Sequence, residues 1–327
     1  MRIRLRTMNV AGMCRASPVA VVALGGFAVL SVGLLDSAPA TQAQAPSGQT
    51  TKLVMLGTGT PVADPERSGP GVAIVVGDEA YLVDAGPGIV RRAAAAAVKR
   101  DLVALRAENL ERVFITHLHS DHTLGLPDLI FSPWVLGRGT PLEVYGPPGI
   151  ERMTAHIQEA WTEDVAIRRF GEPMRDQSYK TAVTHEIRPG RIYEDRAVRV
   201  DAIPVAHGSW PYAFGYRFDT PDRRIVISGD ARPTPALVEA CTKCDILVHE
   251  VYSKRFLIGR GPDGQRYHAT FHTSPTELAE LANKAQPGLL VLYHQLLAGA
   301  TDLELEGEVR AAGYRGRLVS AKDLDVF

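Results

Sequence analysis

Residues 116–126 read Thr-His-Leu-His-Ser-Asp-His-Thr-Leu-Gly-Leu, and no other stretch of the chain says as much about its chemistry. Three histidines and one aspartate occupy four of the six positions from His117 to His122. Imidazole nitrogen and carboxylate oxygen are ligands that divalent cations such as Zn²⁺ bind in proteins. Residues 111–116 are mostly apolar or β-branched and predict a buried strand that ends where the ligands begin. The stretch therefore predicts a metal-binding loop after a strand; the alternative is a histidine-rich surface loop.

The spacing within this loop favours two adjacent metal ions. His117 and His119 alternate along the chain, so both rings can face one ion. Asp121 and His122 are direct neighbours and must point apart, which suits a second ion beside the first.

Three further ligands are predicted where apolar, strand-like segments end. His207 follows residues 200–206, Asp230 follows residues 225–229, and His294 follows residues 289–293. A carboxylate such as Asp230 can bridge two cations with one oxygen on each. The predicted assignment is His117, His119 and His207 for the first ion, Asp121, His122 and His294 for the second, and Asp230 between them. A turn-forming aspartate and ordinary strand-end histidines are the alternatives.

Two more histidines are candidates for acid–base chemistry. His249 ends a strand-like segment in the same way, but the ligand set is already full, so we expect it to donate a proton or to stabilise an oxyanion. His272 opens a predicted helix and is the second candidate for that role. A structural role for His249 is the alternative. His156, His185 and His268 have no such context and are predicted to be surface or core residues.

The N-terminal segment predicts export. Four arginines precede an apolar run over residues 19–35, and small-residue sites follow at residues 38–40 and 43–45. This order is typical of a cleaved secretory signal, residues 1–45, although a retained anchor helix is the alternative. We expect a periplasmic or secreted protein that is not membrane-bound after cleavage, with a single domain over residues 46–327.

Composition is that of an ordinary globular protein, with 45% apolar and 22% charged residues. Without its four arginines and one aspartate in residues 1–45, the chain would carry a formal charge of about −4. No Lys/Arg tract follows that segment, so a small ester is the expected substrate and nucleic acid is not. Cys241 and Cys244 predict a small disulfide or two buried thiols, with a redox pair or half a zinc site as alternatives.

Element order predicts the fold class. Strand-like segments come first as hairpins and then alternate with helices, and this happens in both halves of the chain. Such an order favours an α/β protein in which two sheets pack face to face with helices outside.

The ordered set of motifs resembles the metallo-β-lactamase superfamily, and within it the ribonuclease Z-like branch, which also holds arylsulfatase- and phosphodiesterase-type enzymes. Besides the His117–His122 motif, the resemblance rests on residues 57–61, 84–86, 142–149, 228–230 and 247–250. It implies a four-layer αββα sandwich and two divalent metal ions, zinc first, with manganese or iron as alternatives. Dimers are common in that branch, so a homodimer is one expected assembly.

Two departures from the branch shape the predicted function. In ribonuclease Z a long arm that grips tRNA is inserted between the third histidine and the bridging aspartate, whereas only residues 208–229 separate His207 from Asp230 here. An exported enzyme would also not meet precursor tRNA. The leading prediction is therefore an exported phosphodiesterase- or arylsulfatase-like hydrolase that uses a water shared between the two ions, with Asp121 orienting that water.

Several alternatives stay open at this point. They are a ribonuclease Z-type endoribonuclease, a lactonase- or thioesterase-like hydrolase, and a metal-binding module without turnover. Antibiotic hydrolysis is disfavoured, because true β-lactamases of the superfamily lack an aspartate like Asp230 and often use a cysteine ligand. Trp134, Arg138, Trp210 and Tyr252 lie near the ligand motifs in the sequence and are candidates for the walls of the substrate cleft, although core or rim positions are the favoured interpretation.

Overall fold

The computed structural model describes residues 50–170 and 181–327. The predicted signal, residues 1–45, lies outside these described residues. Within them, no helix combines the length and the apolar content that crossing a membrane requires.

The first sheet combines a hairpin with parallel strands. Its strands, in spatial order, are β1 (Thr51–Gly57), β2 (Gly71–Val76), β3 (Glu79–Val83), β4 (Arg112–Phe114), β5 (Leu142–Gly146) and β6 (Ala182–Glu186). β1, β2 and β3 pair antiparallel, and β3 to β6 pair parallel. Every residue of β2 is buried, because helices cover one face of this sheet and the second sheet covers the other.

The second sheet repeats this plan in the C-terminal half. Its strands are β7 (Gly190–Glu194), β8 (Arg199–Pro204), β9 (Phe214–Asp219), β10 (Arg224–Ile227), β11 (Ile246–Tyr252), β12 (Leu289–Leu296) and β13 (Leu318–Ser320), in reverse spatial order. β7 to β10 pair antiparallel, and β10 to β13 pair parallel. The carboxyl ends of β10, β11 and β12 therefore meet at one edge.

Helices form the two outer layers. They are α1 (Ile89–Lys99), α2 (Ser120–Thr123), α3 (Leu126–Val135), α4 (Ile150–Ala160), α5 (Thr162–Phe170), α6 (Pro235–Cys241), α7 (Pro262–Phe271), α8 (Pro275–Ala285) and α9 (Asp302–Ala311). One apolar core lies between the sheets, one lies under α1 and α3, and one lies under α6, α8 and α9. The four-layer αββα sandwich is thus confirmed.

Helical spacing over residues 151–169 predicts one helix, but the structure has two, α4 and α5, interrupted at Trp161. The sequence predicted neither strands β6, β7 and β13 nor helices α2, α3 and α7. Cys241 and Cys244 form a disulfide in the core under α6. A disulfide was one of the alternatives that the sequence left open.

Candidate active site

Four chain segments bring the predicted ligands together at one edge of the sandwich. The loop after β4 carries the His117–His122 motif, His207 follows β8, Asp230 follows β10, and His294 lies in β12. Among the described residues, three groups of histidine and aspartate side chains have nitrogen or oxygen atoms within 4.8 Å of one another, and two of these groups coincide with the assignment made from the sequence. Those two ligand groups are His117, His119, His207 and Asp230, and Asp121, His122 and His294; the third combines His272 with Asp230 and His294.

In the first group, one ring nitrogen from each of three histidines lies within hydrogen-bond distance of another. His119 Nδ1 lies 2.9 Å from His117 Nε2 and 3.1 Å from His207 Nε2. A single ring hydrogen on His119 satisfies only one of these contacts, whereas a cation would bind all three nitrogens. Burial lowers the pKa of His117 well below its ordinary value and lowers the pKa of His207 to about 4, so both rings are neutral. His207 Nδ1 donates to the Phe271 carbonyl at 2.8 Å, which leaves its Nε2 lone pair facing the group.

The second group contains buried polar atoms without hydrogen-bond partners. His122 Nε2 and His294 Nδ1 lie 3.3 and 3.4 Å from Asp230 Oδ1, and all three atoms lack a partner. Buried polar atoms are nearly always paired in native proteins. Burial would raise the pKa of Asp230, but the surrounding histidines, His294 first, hold it well below its ordinary value. Burial would lower the pKa of His122, but Asp230 and Asp84 raise it well above its ordinary value. Imidazoles gathered around a carboxylate are a donor set that fits divalent cations.

Gly229 sets the position of Asp230. Its φ of 61° lies in the left-handed region, and a Cβ there would come within 2.8 Å of the Phe214 carbonyl oxygen and 2.9 Å of Thr116 Cβ. Only glycine allows the chain to turn this tightly directly after β10. The turn brings the Asp230 carboxylate against the loop that follows β4.

Asp84, at the end of β3, orients one of the ligands. Its carboxylate lies 2.8 Å from His122 Nδ1 and accepts from the backbone N–H of Thr116, also at 2.8 Å. An Nδ1–H donated to Asp84 leaves His122 Nε2 free to bind a cation. The sequence singled out residues 84–86 only as part of a motif. The missed signal was a buried aspartate at the end of a strand that lies parallel to β4.

Replacing Asp84 should therefore weaken metal binding without removing a ligand. We expect Asp84→Asn to lower the affinity for divalent cations by roughly 10–100-fold, which is typical when the partner that orients a ligating histidine is lost. Competition with a chromogenic chelator measures this affinity. Asp195→Asn is the control. Asp195 accepts hydrogen bonds from the hydroxyls of Tyr81 and Tyr193 and does not belong to the histidine–aspartate groups described above, which we call the metal-suited groups. Wild-type affinity in Asp84→Asn would contradict the orienting role.

A cleft of about 350 Å³ opens onto the second group. It is lined by Thr60, Pro61, Val62, His119, Ser120, Asp121, Asp230, Phe256, Arg260, Tyr267, His268, His272, His294 and Leu296. The rings of Phe256 and Tyr267 supply its aromatic wall. His268, predicted to be an ordinary surface or core residue, also lines it.

His272 and Glu250 form a hydrogen-bonded pair at this cleft. His272 Nδ1 lies 3.2 Å from Glu250 Oε1, and that oxygen also accepts from the backbone N–H of Thr273. Burial alone would lower the pKa of His272, but Glu250 outweighs it and raises the pKa to about 9. A protonated imidazole at the cleft is an arrangement that can donate a proton to a bound molecule.

His249 occupies a different position. It is completely buried, its Nδ1 donates to the Glu250 carbonyl at 2.7 Å, and its Nε2 has no partner. Burial lowers its pKa to about 4, so the ring is neutral. His249 is not among the residues that line the cleft, and the structure therefore does not bring it to the place where a proton donor would act.

Three of the four candidate cleft residues lie elsewhere. Trp134 packs in the core beneath α3, and Tyr252 is 5% exposed within β11. Arg138 is buried, and its guanidinium donates to backbone carbonyls, including those of Leu129 and Ile130. Only Trp210 reaches the site, where its indole N–H donates to His119 Nε2 at 2.7 Å.

Comparison with known proteins covers most of the chain. The beta-lactamase superfamily domain matches residues 79–295. Ribonuclease Z of Mycobacterium bovis is 30% identical over 277 residues, which are 84% of this chain and 96% of that protein. The short form of human tRNase Z superposes with a TM-score of 0.62 at 22% identity, covering 84% of this chain and 98% of that one. The metallo-beta-lactamase fold protein YhfI of Bacillus subtilis superposes with a TM-score of 0.63 at 19% identity, covering 85% and 99%.

Proposed function

Because this chain belongs to the beta-lactamase superfamily and, within it, to the ribonuclease Z branch, we propose that it is a metal-dependent hydrolase of phosphodiester bonds. The observation that carries the proposal is the pair of histidine–aspartate groups that converge at one cleft beside His272 and Glu250. A metal-binding module without turnover would need the ligand groups but not a proton donor aimed into the same cleft.

The ligand set favours zinc. Imidazole nitrogens dominate both groups, and carboxylates complete them, a combination that zinc binds well and that manganese or iron also accept. The proposed ligands are His117, His119, Asp121, His122, His207, Asp230 and His294. Two divalent ions bound there would lower the pKa of a shared water and withdraw charge from the phosphoryl oxygens.

The remaining chemistry falls to side chains of the cleft. Asp121 lines the cleft, its Oδ2 lies 3.2 Å from His294 Nε2, and we assign this carboxylate the role of orienting the attacking water. His272 Nε2 would give its proton to the leaving oxygen as the ester bond breaks. Glu250 would hold the Nδ1–H of His272 and stabilise the charged ring. In this proposal His272 takes the role that the sequence assigned first to His249.

Among phosphodiesters, RNA is the substrate that the relatives favour. The absence of a long arm between His207 and Asp230 suggested a different substrate. The alignment with the M. bovis ribonuclease Z, however, spans 277 residues and 84% of this chain, which leaves no room for a long insertion that this chain lacks. The missing arm therefore does not separate this chain from relatives named ribonuclease Z. We place RNA cleavage ahead of sulfate-ester cleavage, for which no relative described above provides support.

Export is a separate proposal that rests on residues 1–45 alone. If that segment is a cleaved signal, the enzyme acts on phosphodiesters outside the cytoplasm. Determining the N-terminus of the protein recovered from periplasm and medium tests it.

The function itself is tested by turnover with and without a chelator. We expect the purified protein to bind about two zinc ions per chain and to cleave labelled RNA and bis-p-nitrophenyl phosphate, but not p-nitrophenyl sulfate. EDTA should abolish both activities, and added zinc should restore them. Cleavage of the aryl diester without RNA cleavage would reject the ribonuclease reading. A metal-replete protein that cleaves neither would reject the proposed function.

A further inference from the structure

Next to the metal-suited groups, the cleft contains a cluster of rings that the proposed chemistry does not use. This ring pocket consists of Phe256, Arg260, Tyr267 and His268, all from the segment between β11 and α8. The His268 ring stands edge-on to Phe256, at 4.6 Å between centroids and 79°, and edge-on to Tyr267, at 5.1 Å and 88°. Tyr267 is 52% exposed, a large accessible area for an aromatic ring that lines a cleft. The pocket therefore offers flat apolar surface to a ligand.

Arg260 adds a positive charge to these rings. Its Nε donates to the Phe256 carbonyl at 2.8 Å, and its guanidinium carbon lies 4.3 Å from the centre of the Phe256 ring. Within residues 50–170 and 181–327, Arg260 makes no ion pair, whereas Arg255 and Arg232 pair with Glu304 and Glu277. A fixed, uncompensated guanidinium stacked on a ring suits an anion that carries an aromatic group.

His268 contributes a polar atom that no protein group satisfies. Its Nδ1 is buried and has no hydrogen-bond partner. Burial, with Arg260 and His272 nearby, lowers its pKa to about 4, so the ring is neutral. Because Nδ1 is closed to solvent, a ligand reaches it only after a ring of the pocket turns. The edge of a nucleobase then offers a hydrogen-bond partner that a phenyl ring lacks.

We infer that the ring pocket binds the nucleobase next to the scissile phosphate of the substrate. The inference rests on the proposed phosphodiester hydrolysis and adds that the site prefers phosphodiesters that carry a nucleobase. A cleft of about 350 Å³ has the size for one nucleotide unit. Stacking on Phe256 and Tyr267 would hold the base, and Arg260 would bind the adjacent phosphate.

Two esters that differ only in the base-bearing group test this inference. Thymidine 5′-(p-nitrophenyl phosphate) and methyl p-nitrophenyl phosphate release the same chromophore from the same type of bond. We expect the zinc-loaded protein to prefer the nucleoside ester by roughly 5- to 150-fold in kcat/KM, mostly through KM, which is the range of one stacked base. Tyr267→Leu, which keeps an apolar side chain against Phe271 beneath the tyrosine ring, should lower kcat/KM for the nucleoside ester far more than for the methyl ester.

Two further variants separate the contributions. His268→Phe keeps a flat ring without the buried nitrogen, so it should lose part of the preference for the nucleoside ester. Ile258→Ala is the matched control, because Ile258 is 76% exposed in the same segment and does not line the cleft. It should behave as the wild type towards both esters.

Binding provides a readout that does not depend on turnover. In calorimetry with the zinc-loaded protein, thymidine 5′-monophosphate should bind more tightly than 2-deoxyribose 5-phosphate, and Tyr267→Leu should abolish the difference. Equal hydrolysis of the two esters with equal binding of the two phosphates would overturn the ring-pocket inference and leave the proposed function intact. Base-dependent binding without turnover of either ester would support the pocket and reject the proposed function.

Discussion

His272→Ala is expected to lower kcat for RNA by roughly 10²–10⁴-fold, the usual contribution of a well-placed general acid. In the wild type, the Glu250 carboxylate keeps the His272 ring protonated at the cleft. Without this ring, the ribose oxygen must leave as an alkoxide. The measurement is single-turnover cleavage of labelled RNA by zinc-replete protein, with metal content determined on the same sample.

The leaving group separates proton donation from a structural effect. p-Nitrophenoxide departs readily without protonation, so His272→Ala should impair bis-p-nitrophenyl phosphate hydrolysis far less than RNA cleavage. Equal losses on both substrates would show that His272 acts only by shaping the site. His185→Ala is the control, because His185 also pairs with a glutamate, Glu143, but does so on β6, and it does not line the cleft.

Two further variants distinguish the loss of a proton donor from a loss of stability. Removing His272 leaves Glu250 buried without its partner, which destabilises the fold. The double variant His272→Ala/Glu250→Gln relieves that charge and should show the same leaving-group dependence as His272→Ala. His249→Ala should lower stability through the cavity it creates and keep a near-normal kcat in the folded, zinc-replete fraction. A reversed result, with kcat lost in His249→Ala and kept in His272→Ala, would return the proton-donor role to His249.

The second large effect is expected for Asp230→Asn. Asp230 lies between both ligand groups, with Oδ1 3.3 Å from His122 Nε2 and Oδ2 3.9 Å from His207 Nε2. An amide carries no charge to offset two cations, so we expect metal content to fall from about two ions per chain to one or fewer. Activity should fall further than the roughly 10–100-fold typical of losing a partner that orients a ligand.

Thermal unfolding gives an independent test of the same variant. Zinc stabilises a protein that binds it only in the folded state, by about 4 kcal/mol at a thousandfold excess over Kd. This zinc-dependent rise in Tm should be largely lost in Asp230→Asn. It should persist in Asp219→Asn, because Asp219 pairs with Arg217 and Arg224 and does not belong to the metal-suited groups. Two ions per chain and an unchanged Tm shift in Asp230→Asn would refute the bridging position.

The sequence predicted the ligand positions best where a single polar residue stands at the end of an apolar, strand-like run. His207, Asp230 and His294 each follow an apolar run, and such runs become buried strands whose ends meet at one edge of a sheet. The order of strands and helices likewise predicted two sheets with helices outside. These features depend on local periodicity, which a single sequence contains.

Features that depend on pairing between distant segments were not predictable in this way. Asp84 orients His122 because β3 and β4 pair parallel, and Glu250 meets His272 because the chain returns to β11 after α7. Helix α7 itself was missed, because Gly-Pro-Asp-Gly over residues 261–264 is typical of a turn and only Phe271 of the helix is buried. The place of His268 in the cleft was missed with it. Trp134 and Arg138 lie away from the cleft, because nearness in sequence to ligand motifs does not fix the direction of a side chain.

The seven proposed ligands are divided between the two sheets. His117 to His122 follow a strand of the first, whereas His207 and Asp230 follow strands of the second and His294 lies within one. A cation that requires both sets can bind only while the two halves of the chain are docked, so binding and docking stabilise each other. Divalent cation supply should consequently govern how long the protein survives proteases in its surroundings, in addition to how fast it works.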